Sequence, residues 1–150
     1  MSSNSNKKIY TEEEKNEYIR KMREIREQCF AIIFEMSFSD DSYEDILDNA
    51  VESRMIVAED YMIEILKYYS ENKEKVDEII KSNIKGWTID RLSRPTLSVL
   101  RLSVSELNAT KTGKSVIINE AVEITKKYAT PKEAAFVNGV LGSIVRGTSK

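Results

Sequence analysis

There is no histidine among the 150 residues. That absence removes Ser-His-Asp and Cys-His nucleophilic catalysis, the usual zinc sites, and the Glu-x-x-His pairs of di-iron helical bundles. An enzyme is not expected, nor a bound metal. The single cysteine, Cys29, excludes an intrachain disulfide, and its place on the apolar face of a helical pattern makes it a packing residue. With two prolines and five glycines the chain has no stretch composed like a linker, so one domain is expected over residues 11–150. The longest unbroken apolar run, Cys29 to Phe34, is far short of the roughly 18 residues of a membrane span. The polar start Met1 to Asn6 is unlike a signal peptide, and a cytoplasmic protein without membrane contact is the expectation.

The chain also lacks an excess of positive charge, with 23 Lys and Arg against 25 Asp and Glu. A net charge of −2 creates no overall field that would draw the molecule to a polyanion. Any nucleic-acid site must therefore be a local patch, and specific RNA binding would need help from a basic partner.

What is present is helical periodicity. Residues 1–10, rich in Ser, Asn and Lys, read as a disordered tail. Thr11-Glu12-Glu13-Glu14 then forms a capping box, opening a helix with Ile19, Met22, Ile25, Cys29, Phe30, Ile33 and Met36 on its apolar face. This helix extends to about Phe38, where Ser39 to Ser42 breaks it. Ser42 with Asp45 caps a second helix through Ile46, Leu47 and Ala50. A third carries Ile56, Val57, Tyr61, Ile65, Leu66 and Tyr69, with the break falling near Glu52 to Met55. Asn72 is the cap expected for a fourth, with Val76, Ile79, Ile80 and Ile84 inward and Gly86 at its end.

The most apolar segment is Pro95 to Asn108, where Leu97, Leu100, Val104 and Leu107 make the central row and Ser93 stands as N-cap. A turn over residues 109–114 leads to a helix with Ile117, Ala121, Ile124 and Tyr128 in one row and a Glu123–Lys127 pair on its wet side. Thr130 caps the last helix, whose buried arc is Val137, Val140, Leu141 and Ile144. Gly113-Lys114-Ser115 ends like a phosphate loop, but position 108 is Asn where that motif needs Gly, and no strand precedes it. No segment alternates like a strand, so the fold class is all-α, a single compact domain of about seven helices.

Two places could carry binding chemistry. Arg20, Arg23 and Arg26 recur every third residue and trace a flank beside the first apolar face, with Glu24 and Glu27 interleaved. A basic strip for RNA and an ordinary solvated helix face both fit that pattern. On the last helix, Phe136 falls at the edge of the buried arc, with Lys132 one turn earlier on the wet flank. An aromatic beside a cation can stack a splayed base while the cation meets a phosphate. The competing reading is a core phenylalanine.

Several short runs carry a family resemblance: Trp87, Arg91-Leu92, Leu100-Arg101-Leu102, Glu106-Leu107, Ile118-Asn119-Glu120-Ala121 and Phe136-Val137-Asn138-Gly139-Val140-Leu141. In this order and at these separations they resemble the NusB family of bacterial transcription antitermination factors. The likeness is close over residues 87–146 and looser in the first helix. It implies the all-helical NusB fold and no cofactor. It also implies binding of boxA-type single-stranded RNA in nascent ribosomal RNA transcripts, jointly with the small basic ribosomal protein NusE. Action on the RNA polymerase elongation complex would be indirect.

By the same resemblance, Arg20, Arg23 and Arg26 would stand in the arginine-rich segment such proteins use on RNA, and Phe136 would face RNA. By the resemblance, two departures, Ser105 in place of an aromatic and Gly113-Lys114-Ser115 in place of a proline, would be expected on the surface where a protein partner is sought. Two rival functions remain. One is a helical protein-binding adaptor without RNA affinity of its own. The other is an RNA methyltransferase, since NusB-like domains occur fused to such enzymes, but this chain has no Gly-rich strand-to-helix cofactor loop.

Overall fold

Thr11 starts the first helix through the reciprocal bonds its sequence predicts. The Thr11 hydroxyl accepts the Glu14 N–H at 3.0 Å and Glu14 Oε1 accepts the Thr11 N–H at 2.9 Å. The structure is a computed structural model that describes residues 9–54 and 56–148, so most of the expected disordered tail, residues 1–8, lies outside the described residues. Helix α1 (Glu12–Met36) buries Met22, Ile25, Cys29, Phe30, Ile33 and Met36. Ile19, expected on the same face, is 46% exposed. All residues from Ile9 to Lys21 are exposed, because the first turns of α1 run past the body before any other helix meets them.

Helix α2 (Tyr43–Arg54) begins where Ser42 Oγ accepts the Asp45 N–H at 3.2 Å. Helix α3 (Asp60–Glu71) starts later than its apolar pattern suggests: Val57 precedes it and is 65% exposed. Asn72 does not cap helix α4 (Lys73–Lys81) with its side chain. Its Nδ2 instead donates to the Tyr68 carbonyl at 2.9 Å, closing α3. Helix α4 ends before Gly86, whose φ of 76° serves the connection that follows, and a single 3₁₀ turn spans Ile89–Arg91.

Helix α5 (Arg94–Ala109) has Pro95 in its first turn, and Ser93 Oγ accepts the Thr96 N–H at 3.3 Å. Helix α6 (Lys114–Tyr128) follows, and helix α7 (Pro131–Thr148) is capped by Thr130, whose hydroxyl accepts the Glu133 N–H at 3.1 Å. The described residues thus form seven α-helices and no strand, the expected all-α architecture.

Helix α5 is the axis of the molecule and packs against α1, α3, α4, α6 and α7. From Thr96 to Glu106 all its residues except Arg101 are buried. Of the polar groups this encloses, Glu106 is hydrogen-bonded, whereas the hydroxyls of Ser98 and Ser105 have no partner among the described residues, and Ser105, expected on a surface for a protein partner, is fully buried. Arg101, at the rim, meets Asp77 of α4 through two bonds of 2.9 Å, pinning α4 to the axis. Among the described residues no helix is long and apolar enough to cross a membrane. No group of three or more His, Cys, Asp or Glu side chains among them could hold a metal ion.

Candidate nucleic-acid interface

The three arginines of α1 do not share one flank. Arg20 is exposed and ion-paired with Glu17 on its own helix. Arg23 is exposed and reaches across to Glu120 of α6, with Nε at 3.0 and 3.2 Å from the two carboxylate oxygens. That hydrogen bond, followed by the charge of Glu120, raises the Arg23 pKa further. Arg26 corrects the sequence expectation: it is 4% exposed, and its Nε donates to both oxygens of Glu106 at 2.9 and 3.1 Å. The reason is angular. Three residues advance a helix by about 300°, so each step of three drifts about 60° around the axis. The row begins on the wet side at Arg20 and ends inside at Arg26, where no guanidinium face is left for a phosphate.

Burial disfavours the charge of Arg26, but the adjacent Glu106 carboxylate outweighs it and raises the pKa. Tyr61 of α3 completes the cluster, donating its hydroxyl proton to Glu106. Because that proton is committed, the Thr112 hydroxyl at 2.6 Å is the donor to the Tyr61 oxygen. Burial, and then the bond to Glu106, push the Tyr61 pKa up. This network joins α1, α3, α5 and the turn before α6. Sequence reasoning missed it, although two signals were available. Arg26 lies four residues from both Met22 and Phe30, on the buried row, and Glu106 sits between Val104 and Leu107 of the central apolar row of its helix.

The wet side of α6 also differs from its expected pairing. Lys127 does not bond Glu123 but crosses to Glu27 of α1, at 2.9 and 3.1 Å. Glu123 takes Lys126 instead, at 3.4 Å. The Tyr128 hydroxyl adds a bond to Glu27 at 2.6 Å. Burial would push the Glu27 pKa up, but the bonds from Lys127 and Tyr128 outweigh it and hold the group below the ordinary carboxylate range. The α1–α6 seam is thus largely self-neutralised. A groove lined by Arg23, Glu120 and Lys126 continues from this seam to Pro131 and Ala135 of α7.

Lys132, next along α7, is exposed, and no acid among the described residues lies within ion-pair range of it. Phe136, one turn on, is partly buried at the rim of the core, the edge position its spacing predicts. Its ring meets that of Trp87, with centroids 6.2 Å apart and planes at 65°. Trp87 is 51% exposed. Glu133, beside Lys132, accepts bonds from Ser93, from Thr96 at 3.0 Å and from Thr130 at 3.0 Å. Led by the bond from Ser93, these hold its pKa below the ordinary carboxylate range. A free cation beside an exposed aromatic corner is what stacking on a base and contact with a phosphate require.

Comparison with known proteins gives the family and the fold. The NusB family model matches residues 23–146. The transcription antitermination protein NusB of Clostridium botulinum (strain Kyoto / Type A2) is 39% identical over 140 residues, spanning 82% of this chain and 98% of its own. Its counterpart in Listeria welshimeri serovar 6b is 37% identical over 125 residues, spanning 83% and 95%. A crystal structure of antitermination factors NusB and NusE in complex with double-stranded RNA superposes with a TM-score of 0.76 at 27% identity, covering 85% of this chain and 98% of that one. T. maritima NusB superposes with a TM-score of 0.72 at 30% identity, covering 83% and 89%.

Proposed function

This chain belongs to the NusB family, and from that premise we propose that it is a transcription antitermination factor acting on nascent ribosomal RNA transcripts. It binds boxA-type single-stranded RNA jointly with NusE, and through that complex acts indirectly on elongating RNA polymerase in the cytoplasm. It is not an enzyme and uses no cofactor.

The observation that carries the reading is the placement of Lys132 and Phe136. On a chain of net charge −2, a cation without an acidic partner among the described residues stands one turn from a rim aromatic. Arg20 and Arg23 extend the RNA surface from α1. Their bonds to Glu17 and Glu120 must be exchanged for phosphate, which keeps affinity low until the basic partner adds its own charge. Arg26 has no part in it.

The test is an electrophoretic titration of boxA-type and scrambled RNA with and without NusE. Binding should be weak alone and tighter with NusE, and RNA should tighten the protein pair by the same factor. The self-neutralised α1–α6 seam favours one alternative, a protein adaptor without RNA affinity. Equal RNA binding with and without NusE, or none in either case, would decide against the joint mode.

A further inference from the structure

Resting on that reading, we propose that Trp87 is a second stacking platform of the RNA site, and that with Phe136 it selects unpaired, splayed bases over a duplex. About half the surface of this large, mostly apolar residue lies open to water, although a fully sheltered position would be favoured by roughly 25 cal/mol for each Å² of apolar surface. The backbone turns just before this residue. Gly86, immediately before it, adopts the φ of 76° that a residue with a Cβ would resist.

The connection carrying Trp87 is fastened at both ends to α7. At one end, Asn83 Oδ1 accepts the Ser143 hydroxyl at 2.7 Å, while Asn83 Nδ2 donates to the Ile79 carbonyl at 2.8 Å. At the other, Ser93 and Thr96 both bond Glu133. These anchors bring Trp87 to Phe136, one turn from the free cation of Lys132. Two more exposed cations, Lys85 and Arg91, flank it on the same connection.

The angle decides what such a corner can hold. Neighbouring bases in a helix lie parallel, whereas the two rings are inclined at 65°. Two bases stacked on them must therefore part from one another. Unpaired RNA can splay in this way; the bases of an A-form duplex are already covered by their neighbours.

Trp87 is the only tryptophan of the chain, so its emission reports on this corner alone. Single-stranded boxA-type RNA and the same sequence as a duplex would be titrated into the full chain, with and without NusE. The signal of Trp87→Phe, which lacks the reporter, is subtracted. The expected result is quenching by the single strand, saturating with the gel shift, and little change with the duplex. Trp87→Ala, its fold checked by circular dichroism, should weaken single-strand binding about 5- to 150-fold, and Trp87→Phe much less. A gel shift with unchanged Trp87 emission, unaltered binding by Trp87→Ala, or equal quenching by the duplex would each overturn the inference while leaving the antitermination reading intact. No gel shift under any condition would overturn that reading, and this inference with it.

Discussion

Replacing Arg26 by Met tests whether the buried pair, rather than any RNA contact, is what this arginine does. The variant keeps much of the side-chain length but removes both bonds to Glu106, whose side chain is 1% exposed. The Tyr61 proton would then be the one direct donor left to that carboxylate. Leaving a buried charge uncompensated costs about 3–5 kcal/mol, although swapping a whole buried pair for apolar residues is often neutral. For a domain of this size each kcal/mol lowers the melting temperature by about 2–4 °C, so a fall of about 6–20 °C is expected. Adding Glu106→Gln, which removes the stranded charge yet can still accept from Tyr61, should restore much of the loss. Urea unfolding followed by circular dichroism, on both single variants and the double, gives the coupling directly. Arg26→Met should also leave the salt dependence of RNA binding unchanged at temperatures where it is folded. Losses that add within about 0.5 kcal/mol, or a single variant costing under about 1 kcal/mol, would refute the argument from burial.

Three further outcomes follow from the same geometry. Lys132→Ala should weaken RNA binding across sequences and lower the salt slope by up to about one unit, whereas Phe136→Ala should cost roughly 1–3 kcal/mol of RNA binding with little change in slope. If Phe136 serves only the core, its truncation lowers the unfolding free energy and leaves the RNA affinity of the folded protein intact. Glu133 and Glu27 have lowered folded pKa values, so the unfolded chain binds more protons as acid is added. Their contribution is full above the ordinary value of 4.5 and is lost as pH falls through the lowered folded values. The stability gap between the wild type and Glu133→Gln should therefore close below pH 4.5, read by denaturant midpoints across an acid series. Chelator and reductant should leave the melting temperature unchanged, because Cys29 is a buried free thiol and no metal-binding cluster exists among the described residues.

Helix number, order and most caps were legible in the sequence because they are local. The Thr11 box, Ser93 before Pro95, and Thr130 before the last helix each act within four residues, and apolar periodicity reports which face is buried without saying against what. The family runs likewise singled out the end of the chain that carries Phe136. Contacts between helices were not legible, since a side chain's partner depends on how the helices cross. That choice put Arg26 against Glu106, 80 residues away, sent Lys127 to Glu27 instead of Glu123, and set Trp87 edge-on to Phe136. It also left Ile19 in water, because an amphipathic stripe is buried only as far as its neighbours extend. The sequence by itself determined which surfaces had to be covered, through the hydrophobic effect acting on each helix. The tertiary structure decided which charges met one another and which, like Lys132, were left without an acidic partner among the described residues, because electrostatic pairing depends on distance in space.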